Sequence, residues 1–277
     1  MGPAEVVRRG TTYLERHGVD APRVSAEELM MRVLGIDRAS VYARRDGLTT
    51  AEARAYGRAL CRRCTGTPLQ HLTGEQGFRR LLLTVRPGVF VPRPETEILV
   101  DAALEVLEGG ESPVVVDLCT GSGAVALAIA DERPGVRIWA TDVSDDAIAL
   151  ARENAARLDL PVEALVGDLF DPLPPELRGT VDLVVANPPY LAEDEEPTLP
   201  VEVRAEPPGA LYGGPELMER LLRGAVGWLR PGGTVAIEIR EDTADVTVAA
   251  ARAQGFVDPF VRKDLAGRDR VVAARAP

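Results

Sequence analysis

The tetrapeptide Asn187-Pro188-Pro189-Tyr190 follows directly on Val181–Ala186, an apolar run typical of a buried strand. The two prolines fix the backbone and leave a carbonyl without a competing ladder partner, so that it can point into a cleft. Asn187 supplies both a hydrogen-bond acceptor and donors, and Tyr190 supplies an aromatic face. The pattern predicts a binding site for a planar polar group at the carboxyl end of a strand.

A glycine-containing turn follows an earlier apolar run. Its candidate ligand-binding residues are Asp117, Cys119, Thr120, Gly121, Ser122 and Gly123. The glycines let the backbone turn tightly and let a ligand approach without a Cβ in the way. Asp142 ends the next apolar run about 20 residues further on, where a carboxylate can accept hydrogen bonds from ribose hydroxyls. No third glycine completes a dinucleotide fingerprint, so the spacing favours a nucleoside ligand; a glycine turn that binds nothing is the alternative.

Strand and helix patterns alternate after residue 112. The helical patterns cover 124–132 and 144–158. The apolar runs typical of strands cover 114–118, 136–142, 162–166, 181–186 and 234–239. This alternation predicts βαβ units, and therefore an α/β fold with a parallel, doubly wound sheet. We expect the last strands, near 256–262 and 270–275, to form an antiparallel hairpin at the sheet edge, and the proline-rich stretch 191–215 to form a long loop.

The N-terminal segment predicts a small bundle of short helices. A helical pattern covers 5–17, and capping boxes at 25–28 and 49–52, which begin with Ser25 and Thr49, predict two further helix starts. A Pro-Gly pair at 87–88 between apolar runs predicts the turn of a hairpin. The predicted domains are a helical domain, a β-hairpin linker and an α/β domain, at residues 1–76, 77–93 and 94–277.

Charge is unevenly distributed along the chain. Residues 1–80 contain 14 Arg against 9 Asp and Glu, a net charge of +5, whereas the remaining residues carry −16 and the whole chain −11. The acidic body argues against broad binding to a phosphate backbone. The basic segment, which includes Arg62 and Arg63, can meet an acidic partner or an RNA-rich assembly, or it can be a solvated helical face.

Cysteine and histidine are scarce, with three and two residues. Cys61 and Cys64 have the spacing of metal ligands, but one pair without a second predicts no metal site. No run approaches the roughly 20 apolar residues of a membrane span, and the first residues lack the pattern of a secretion signal. We therefore expect a cytoplasmic globular protein without a metal, a membrane attachment or a stable nucleic-acid complex.

The two motifs together resemble those of class I S-adenosylmethionine-dependent methyltransferases. Further segments, spread over nearly the whole chain, are similar to the protein N(5)-glutamine methyltransferase family; they cover residues 66–74, 90–97, 202–207, 210–214 and 263–271. Two positions depart from the family pattern. Cys119 stands where glycine is usual, and Arg240 follows Glu238-Ile239 where glycine is usual.

The resemblance implies a Rossmann-like, seven-stranded class I methyltransferase sheet with a small N-terminal helical bundle. It also implies S-adenosylmethionine as cofactor and S-adenosylhomocysteine as product. In this family pattern the glycine turn holds the cofactor together with Asn187, and the other cofactor contacts are Asp142 and Val143 at the ribose and Asp168 and Leu169 beside the adenine. The acceptor amide would be held by Asn187, Pro188, Pro189 and Tyr190, of which Asn187, Pro188 and Tyr190 are the expected catalytic residues.

The acceptor implied by the resemblance is the glutamine side chain in the Gly-Gly-Gln loop of class 1 peptide-chain release factors. An amide nitrogen is a poor nucleophile, so we expect catalysis by orientation rather than by a strong base. Three alternatives stay open at the level of the sequence. They are a paralogue acting on another amide or amine, an N-methyltransferase acting on nucleic-acid adenine, and a binding module that has kept the fold.

Overall fold

The computed structural model describes residues 1–108 and 111–277, without the side chains of residues 193 and 198. Within this part, the helices are α1 (Pro3–Arg16), α2 (Pro22–Leu34), α3 (Arg38–Ala43), α4 (Thr50–Cys64), α5 (Leu69–Thr73), α6 (Glu97–Val106), α7 (Ala124–Glu132), α8 (Asp145–Leu158), α9 (Val201–Arg204), α10 (Pro208–Leu211), α11 (Gly214–Trp228) and α12 (Ala244–Ala253). The strands are β1 (Glu75–Phe78), β2 (Leu81–Thr84), β3 (Val114–Leu118), β4 (Arg137–Asp142), β5 (Val162–Val166), β6 (Val181–Ala186), β7 (Leu229–Glu238), β8 (Val257–Lys263) and β9 (Asp269–Arg275). Short 3-10 turns lie at Pro94–Thr96, Pro175–Leu177 and Glu193–Thr198. None of the helices described here is both long enough and apolar enough to cross a membrane.

The chain forms two compact units. The helical unit comprises Met1–Glu75 together with Leu199–Ala205, and the α/β unit comprises Gln76–Thr198 together with Glu206–Pro277. The stretch 191–215, predicted to be a long loop, instead contains the short helices α9 and α10, and its part Leu199–Ala205 belongs to the helical unit.

The helical unit packs α1, α2 and α4 around an apolar core. Its fully buried side chains include Val7, Leu14, Leu29, Met30 and Val41. The capping box predicted at Thr49 is confirmed: the Glu52 amide donates to Thr49 Oγ1 over 3.2 Å, and the Thr49 amide donates to Glu52 Oε2 over 2.6 Å. These two bonds satisfy backbone donors that the first turn of a helix otherwise leaves unpaired.

The capping box predicted at Ser25 is wrong. Helix α2 begins earlier, at Pro22, because proline is preorganised for the first helical position and has no amide hydrogen to leave unpaired. Ser25 therefore lies inside the helix, where it is buried. Its Oγ accepts a hydrogen bond from Arg63 Nε over 3.2 Å.

Arg62 and Arg63, grouped together in the sequence, have different environments. Helix α4 buries Tyr56, Leu60 and Arg63, which recur at helical spacing, and leaves Arg62 exposed. The Arg63 guanidinium donates to Glu202 Oε1 over 2.6 Å, within the same unit. Arg63 is thus a structural ion-pair partner, and the expectation that it contributes to a solvated basic face is wrong.

The hairpin predicted around 86–88 is also wrong: the chain turns there, with the Val89 amide donating to the Arg86 carbonyl over 3.3 Å, but residues 89–91 are not a strand. The two-stranded sheet pairs β1 with β2, and the intervening turn contains Arg79 at a positive φ of 52°. The Arg79 guanidinium is held by Glu132 at 2.7 Å and by Asp101 at 2.5 Å. The apolar residues after Thr84 form no strand, because they pack into the core instead of pairing in a ladder. A pattern of alternating apolar residues does not distinguish a strand that pairs in a sheet from an extended segment that only packs against the core.

The α/β unit contains the predicted seven-stranded sheet, in the order β5-β4-β3-β6-β7-β9-β8. Strands β3 to β7 pair in parallel, β9 pairs antiparallel with β7, and β8 with β9 closes the sheet as an edge hairpin. The α/β fold class, the seven strands and the antiparallel edge are therefore confirmed. Every residue of β3 is buried, as expected for a central parallel strand covered on both faces.

Candidate active site

The two predicted motifs meet where the strand order reverses. The chain runs from β3 outward to β4 and β5, and then returns to β6 on the other side of β3. Leu118 lies opposite Ala186 in the register of β3 and β6, so the turn that begins at Cys119 and the loop that begins at Asn187 leave the sheet side by side. Reversal points of this kind form the ligand crevice of open parallel sheets.

The glycine turn has a backbone that favours glycine at three positions. Gly121, Gly123 and also Cys119 have positive φ values, of 57°, 84° and 57°. A Cβ on Gly123 would lie 3.1 Å from Leu127 Cδ1 and 3.2 Å from Ala151 Cβ, so packing between α7 and α8 also requires glycine there. A Cβ on Gly121 would meet nothing within 4 Å. Gly121 therefore faces open space.

Asp142 is fixed by backbone donors from two loops. Its Oδ2 accepts from the Gly121 amide over 2.9 Å, and its Oδ1 accepts from the Ser144 amide over 3.0 Å. Burial raises the pKa of the carboxyl, while hydrogen bonds from Ser144, Gly121 and Val143 oppose that rise. Each oxygen retains acceptor capacity for a ligand hydroxyl. The Val143 side chain is exposed beside it.

Asp117 supports the turn from beneath. Its Oδ2 accepts from the Thr120 hydroxyl over 2.5 Å and from the Ala126 amide over 3.2 Å. Burial raises the pKa of Asp117 to about 7, against the effect of these two hydrogen bonds. The contacts of Asp117 therefore join the end of β3 to the start of α7.

Asn154 is a supporting residue that sequence reasoning missed. It is fully buried on α8, and its Nδ2 donates to the carbonyls of Thr84 and Ser122, each over 3.1 Å. Its Oδ1 accepts from the Thr84 amide over 2.8 Å. One side chain thus ties the glycine turn to β2. The sequence did contain a signal for this role. The buried face of α8 is otherwise apolar, and Asn154 is a polar residue on that face, between Ala151 and Ala155.

Asp168 and Leu169 lie in the loop after β5. Leu169 has a positive φ of 48°, and its carbonyl accepts from the Thr141 hydroxyl over 2.7 Å. Asp168 is half exposed and pairs with Arg220 over 2.5 Å. The loops after β3, β4 and β5 therefore bring together the predicted cofactor residues at one edge of the sheet.

The electrostatic field at the turn is negative. Burial is the first cause of the raised pKa of the Cys119 thiol, and the charges of Asp142, Asp117 and Asp168 raise it further. Cys119 is consequently a neutral thiol and not a nucleophile. Three carboxyl groups around one turn suit a cationic ligand.

Asn187 is partly buried, and its Nδ2 donates to Thr96 Oγ1 over 3.2 Å. Pro188 is buried, whereas Pro189 and Tyr190 are partly buried. Burial is the main reason that the pKa of Tyr190 is raised, and the negative charge of Glu238 is the next. The hydroxyl is therefore protonated at neutral pH.

Several charged residues surround Tyr190 and were missed as site residues. They are Arg93, Glu95, Glu238 and Arg270, each of which shifts the pKa of Tyr190. Glu206 belongs to the same group, because its Oε1 accepts from Arg93 over 3.0 Å. Burial raises the pKa of Glu206 to about 7, although Arg93 opposes this. The signal for Arg93, Glu95, Glu206 and Arg270 was their presence in the family-like segments 90–97, 202–207 and 263–271. Glu238 lies outside these segments, beside the departure from the family pattern at Arg240.

Arg240, one of the two departures from the family pattern, has a structural account. Its guanidinium pairs with Glu195 over 2.6 Å and with Asp242 over 2.5 Å. Glu195 lies in the loop that follows Tyr190, so the arginine ties this loop to the end of β7. No group of three or more His, Cys, Asp or Glu residues suited to a metal ion is present in the described ranges.

The sheet order and the two loops at its reversal point define a class I methyltransferase. A solved structure with this fold is the T. thermophilus 16S rRNA N2 G1207 methyltransferase, in complex with AdoMet and guanosine. It is 21% identical, with a TM-score of 0.56, and the match covers 73% of this chain and 50% of that one. At this identity the likeness is one of fold.

The sequence relationships are closer. Residues 5–74 match the model of the PrmC N-terminal domain, and residues 81–204 match that of the methyltransferase small domain. The release factor glutamine methyltransferase of Moorella thermoacetica is 43% identical over 98% of this chain and 95% of its own length. The enzyme of the same name from Mycolicibacterium smegmatis is 43% identical over 97% and 95%. The chain belongs to the release factor glutamine methyltransferase family, and it is a methyltransferase.

Replacing Glu238 by Gln tests the cost of burying this carboxyl. Burial raises its pKa from 4.5 to about 7, against a hydrogen bond from Thr96 and the charge of Arg270. The folded chain therefore retains a proton that the unfolded chain releases between these values, and the parent loses stability as pH rises through this window. We therefore expect the unfolding free energy of Glu238→Gln minus that of the parent to be about 1–3 kcal/mol larger at about pH 8 than at about pH 5.

Urea unfolding at the two pH values measures this difference. The exposed Glu219, replaced by Gln, is the matched control and should show no such trend. A difference between Glu238→Gln and the parent that does not change with pH would contradict the expected burial cost.

Proposed function

We propose that this chain transfers a methyl group from S-adenosylmethionine to the side-chain amide nitrogen of a glutamine, in the Gly-Gly-Gln loop of a class 1 peptide-chain release factor. The observation that carries the proposal is the register of β3 and β6, which sets the Asn187 loop beside the glycine turn. An acceptor held at Asn187 would thus adjoin a nucleoside held at the turn. Membership in the family supports this choice of acceptor, and the reaction would take place in the cytoplasm.

The residues at the turn fit S-adenosylmethionine. Gly121 leaves open space, and the Asp142 oxygens have acceptor capacity left for the ribose hydroxyls. Asp168 and Leu169, after the neighbouring strand, would hold the adenine, and the exposed Val143 would lie at the ribose. When bound, the cofactor supplies an electrophilic methyl group on a cationic sulfonium, which the surrounding carboxylates favour.

Asn187 and Pro188 would orient the acceptor. The amide nitrogen lone pair is delocalised into the carbonyl, so the nitrogen attacks well only in a fixed geometry. The Asn187 side-chain oxygen and the Pro188 carbonyl would accept the two amide hydrogens, and Tyr190 would hold the planar group by its ring. Orientation of two bound reactants can lower a barrier by roughly 7–11 kcal/mol, so no strong base is required.

The helical unit would recognise the acceptor protein. Arg54, Arg58 and Arg62 recur every fourth residue on α4 and are exposed. Among the ion pairs of the described residues, none involves these three arginines. An unpaired basic stripe of this kind accelerates encounter with an acidic partner. Unlike Arg63, these three arginines are exposed residues of the basic segment.

Replacing Asp142 by Ala tests the ribose contact. The change removes a charge-assisted hydrogen bond, so we expect the affinity for S-adenosylmethionine to fall roughly ten- to a hundredfold by calorimetry. Asp171 is exposed in the loop after β5, so Asp171→Ala is a control with the same change of charge. Equal affinity in Asp142→Ala and the parent would rule out the ribose role.

Replacing Asn187 by Ala or Asp tests the orienting role, in single-turnover assays with a release factor as acceptor and mass spectrometry as readout. Ala removes the acceptor oxygen, and Asp keeps the shape but adds a charge. We expect both variants to lose turnover by about tenfold or more and to lose far less cofactor affinity, because the interaction with the acceptor is realised mainly in the transition state.

The matched acceptor control is a release factor whose Gly-Gly-Gln glutamine is replaced by asparagine, which should remain unmethylated. A fully active Asn187→Ala enzyme would show that the motif is only structural. Methylation of the asparagine-containing factor at the normal rate, at a residue other than that asparagine by mass spectrometry, would show that the acceptor is elsewhere.

Charge reversal on α4 tests acceptor recognition. Arg58→Glu combined with Arg62→Glu should slow methylation of the release factor by about tenfold at low salt and spare cofactor affinity, since charge complementarity mainly sets the encounter rate. Arg9→Glu with Arg16→Glu makes the same change of charge at exposed positions of α1. If both pairs reduce the rate equally, net charge matters and the α4 stripe does not.

A further inference from the structure

The Asn187 amide can occupy its place in two orientations of the same shape. Turning the group by half a revolution exchanges Oδ1 and Nδ2, and this converts an acceptor of the substrate's N–H into a second donor. In the orientation present, Nδ2 donates to Thr96 Oγ1 over 3.2 Å, which leaves Oδ1 as the free acceptor. The orientation of this amide therefore decides whether the site can hold an amide group as proposed.

Thr96 alone cannot fix that orientation. A hydroxyl group both donates and accepts, so it can accept from Nδ2 or donate to Oδ1. Thr96 is 3% exposed, in the 3-10 turn Pro94–Thr96 that leads into α6. Water therefore has little access to its hydroxyl, and a neighbouring protein group must determine where the hydrogen points.

Glu238 is the neighbouring group that determines where the hydrogen of the Thr96 hydroxyl points. Ala186 lies opposite Ile237 in the parallel register of β6 and β7, so Asn187 and Glu238 are adjacent at the next position along both strands. The Glu238 carboxyl is 4% exposed, and hydrogen bonding from the Thr96 side chain is the largest of the influences that lower its pKa. Once the hydrogen points to Glu238, Thr96 presents only lone pairs to Asn187, which must then offer Nδ2.

The placement of Glu238 has no evident structural benefit. It is buried at the end of β7, and its Oε2 has no hydrogen-bond partner among the described residues. The charged groups that influence it are Arg270 on β9 and Glu95 on the turn before α6. Burial of an incompletely paired carboxyl is costly, and such groups tend to occur where function requires them.

We propose that Thr96 and Glu238 are positioning residues that hold the Asn187 amide with Oδ1 toward the acceptor. The proposal rests on the proposed function, because it assigns to Asn187 the role of accepting a substrate N–H. Neither residue needs to touch the substrate. Their effect passes through the orientation of one side chain, and it is therefore absent when Asn187 is absent.

The test compares Thr96→Val, which keeps the shape but removes the hydroxyl, with Thr96→Ser, which keeps the hydroxyl. At about pH 8, where Glu238 is ionised, we expect Thr96→Val to lower kcat about tenfold, and Thr96→Ser to stay within about threefold of the parent. Cofactor affinity should be unchanged in both. Thr247→Val is the matched control, since this buried threonine donates only to the Thr243 carbonyl, 2.9 Å away within α12.

A double variant separates positioning from a merely structural role. Thr96→Val in the Asn187→Ala background should cause no further loss of kcat, because the side chain to be oriented is missing. A further loss of about tenfold in that background, or parental kcat in Thr96→Val alone, would overturn the proposal. Parental activity of Asn187→Ala alone would instead overturn the proposed function.

Glu238→Met provides a second route if Thr96→Val does not fold. It leaves the Thr96 hydroxyl in place but removes its acceptor, so the hydroxyl can donate to Oδ1. We expect kcat to fall in the same direction, with cofactor affinity retained as the measure of correct folding. Parental kcat in a folded Glu238→Met enzyme would contradict the assignment of Glu238.

Discussion

The reversal of strand order between β3 and β6 is the constraint on which the rest of the site depends. The chain continues from β3 and from β6 in opposite directions along the sheet, and reversal points of this kind leave a crevice between the carboxyl ends of the two strands. The chain must turn sharply at both places. A turn with three positive φ values follows one strand, and a double proline follows the other. The strand order thus creates the crevice, and the two loops supply the polar groups that line it.

Rigidity in this crevice comes from polar groups placed beneath it. Asp117, Asn154 and Asp142 each bond to backbone groups of the glycine turn or its flanks, so the turn is held before any ligand arrives. The same logic applies to Asn187, which is held by Thr96. Preorganised dipoles need little rearrangement during reaction, which is where such sites gain their catalytic effect. The cost is visible in Asp117 and Glu238, whose burial raises their pKa to about 7.

Patterns with a local cause were predicted well from the sequence. The Thr49 cap, the alternation of strands and helices and the edge hairpin all follow from neighbouring residues or from periodicity. Predictions failed where local signals compete. Helix α2 begins at Pro22 and not after Ser25, and the apolar residues after Thr84 have the pattern of a strand although they are buried without pairing in a sheet. Arg63 was misjudged because its type suggests exposure whereas its spacing from Leu60 implies burial. Partners such as Thr96 and Glu238 are far apart in sequence, and only the register of β6 and β7 reveals them.

The division of the chain between the two units affects how the protein is made. Leu199–Ala205 belongs to the helical unit, although it follows most of the α/β unit in the chain. Arg63, buried in α4, finds its carboxylate partner in Glu202 of that late segment. During synthesis, Arg63 therefore has its hydrogen bonds to Ser25 and Thr67 within reach early, but it lacks its carboxylate partner until residue 202 has been translated. The helical unit can begin to fold early, but it reaches its final ion pairing only after much of the sheet has already been translated.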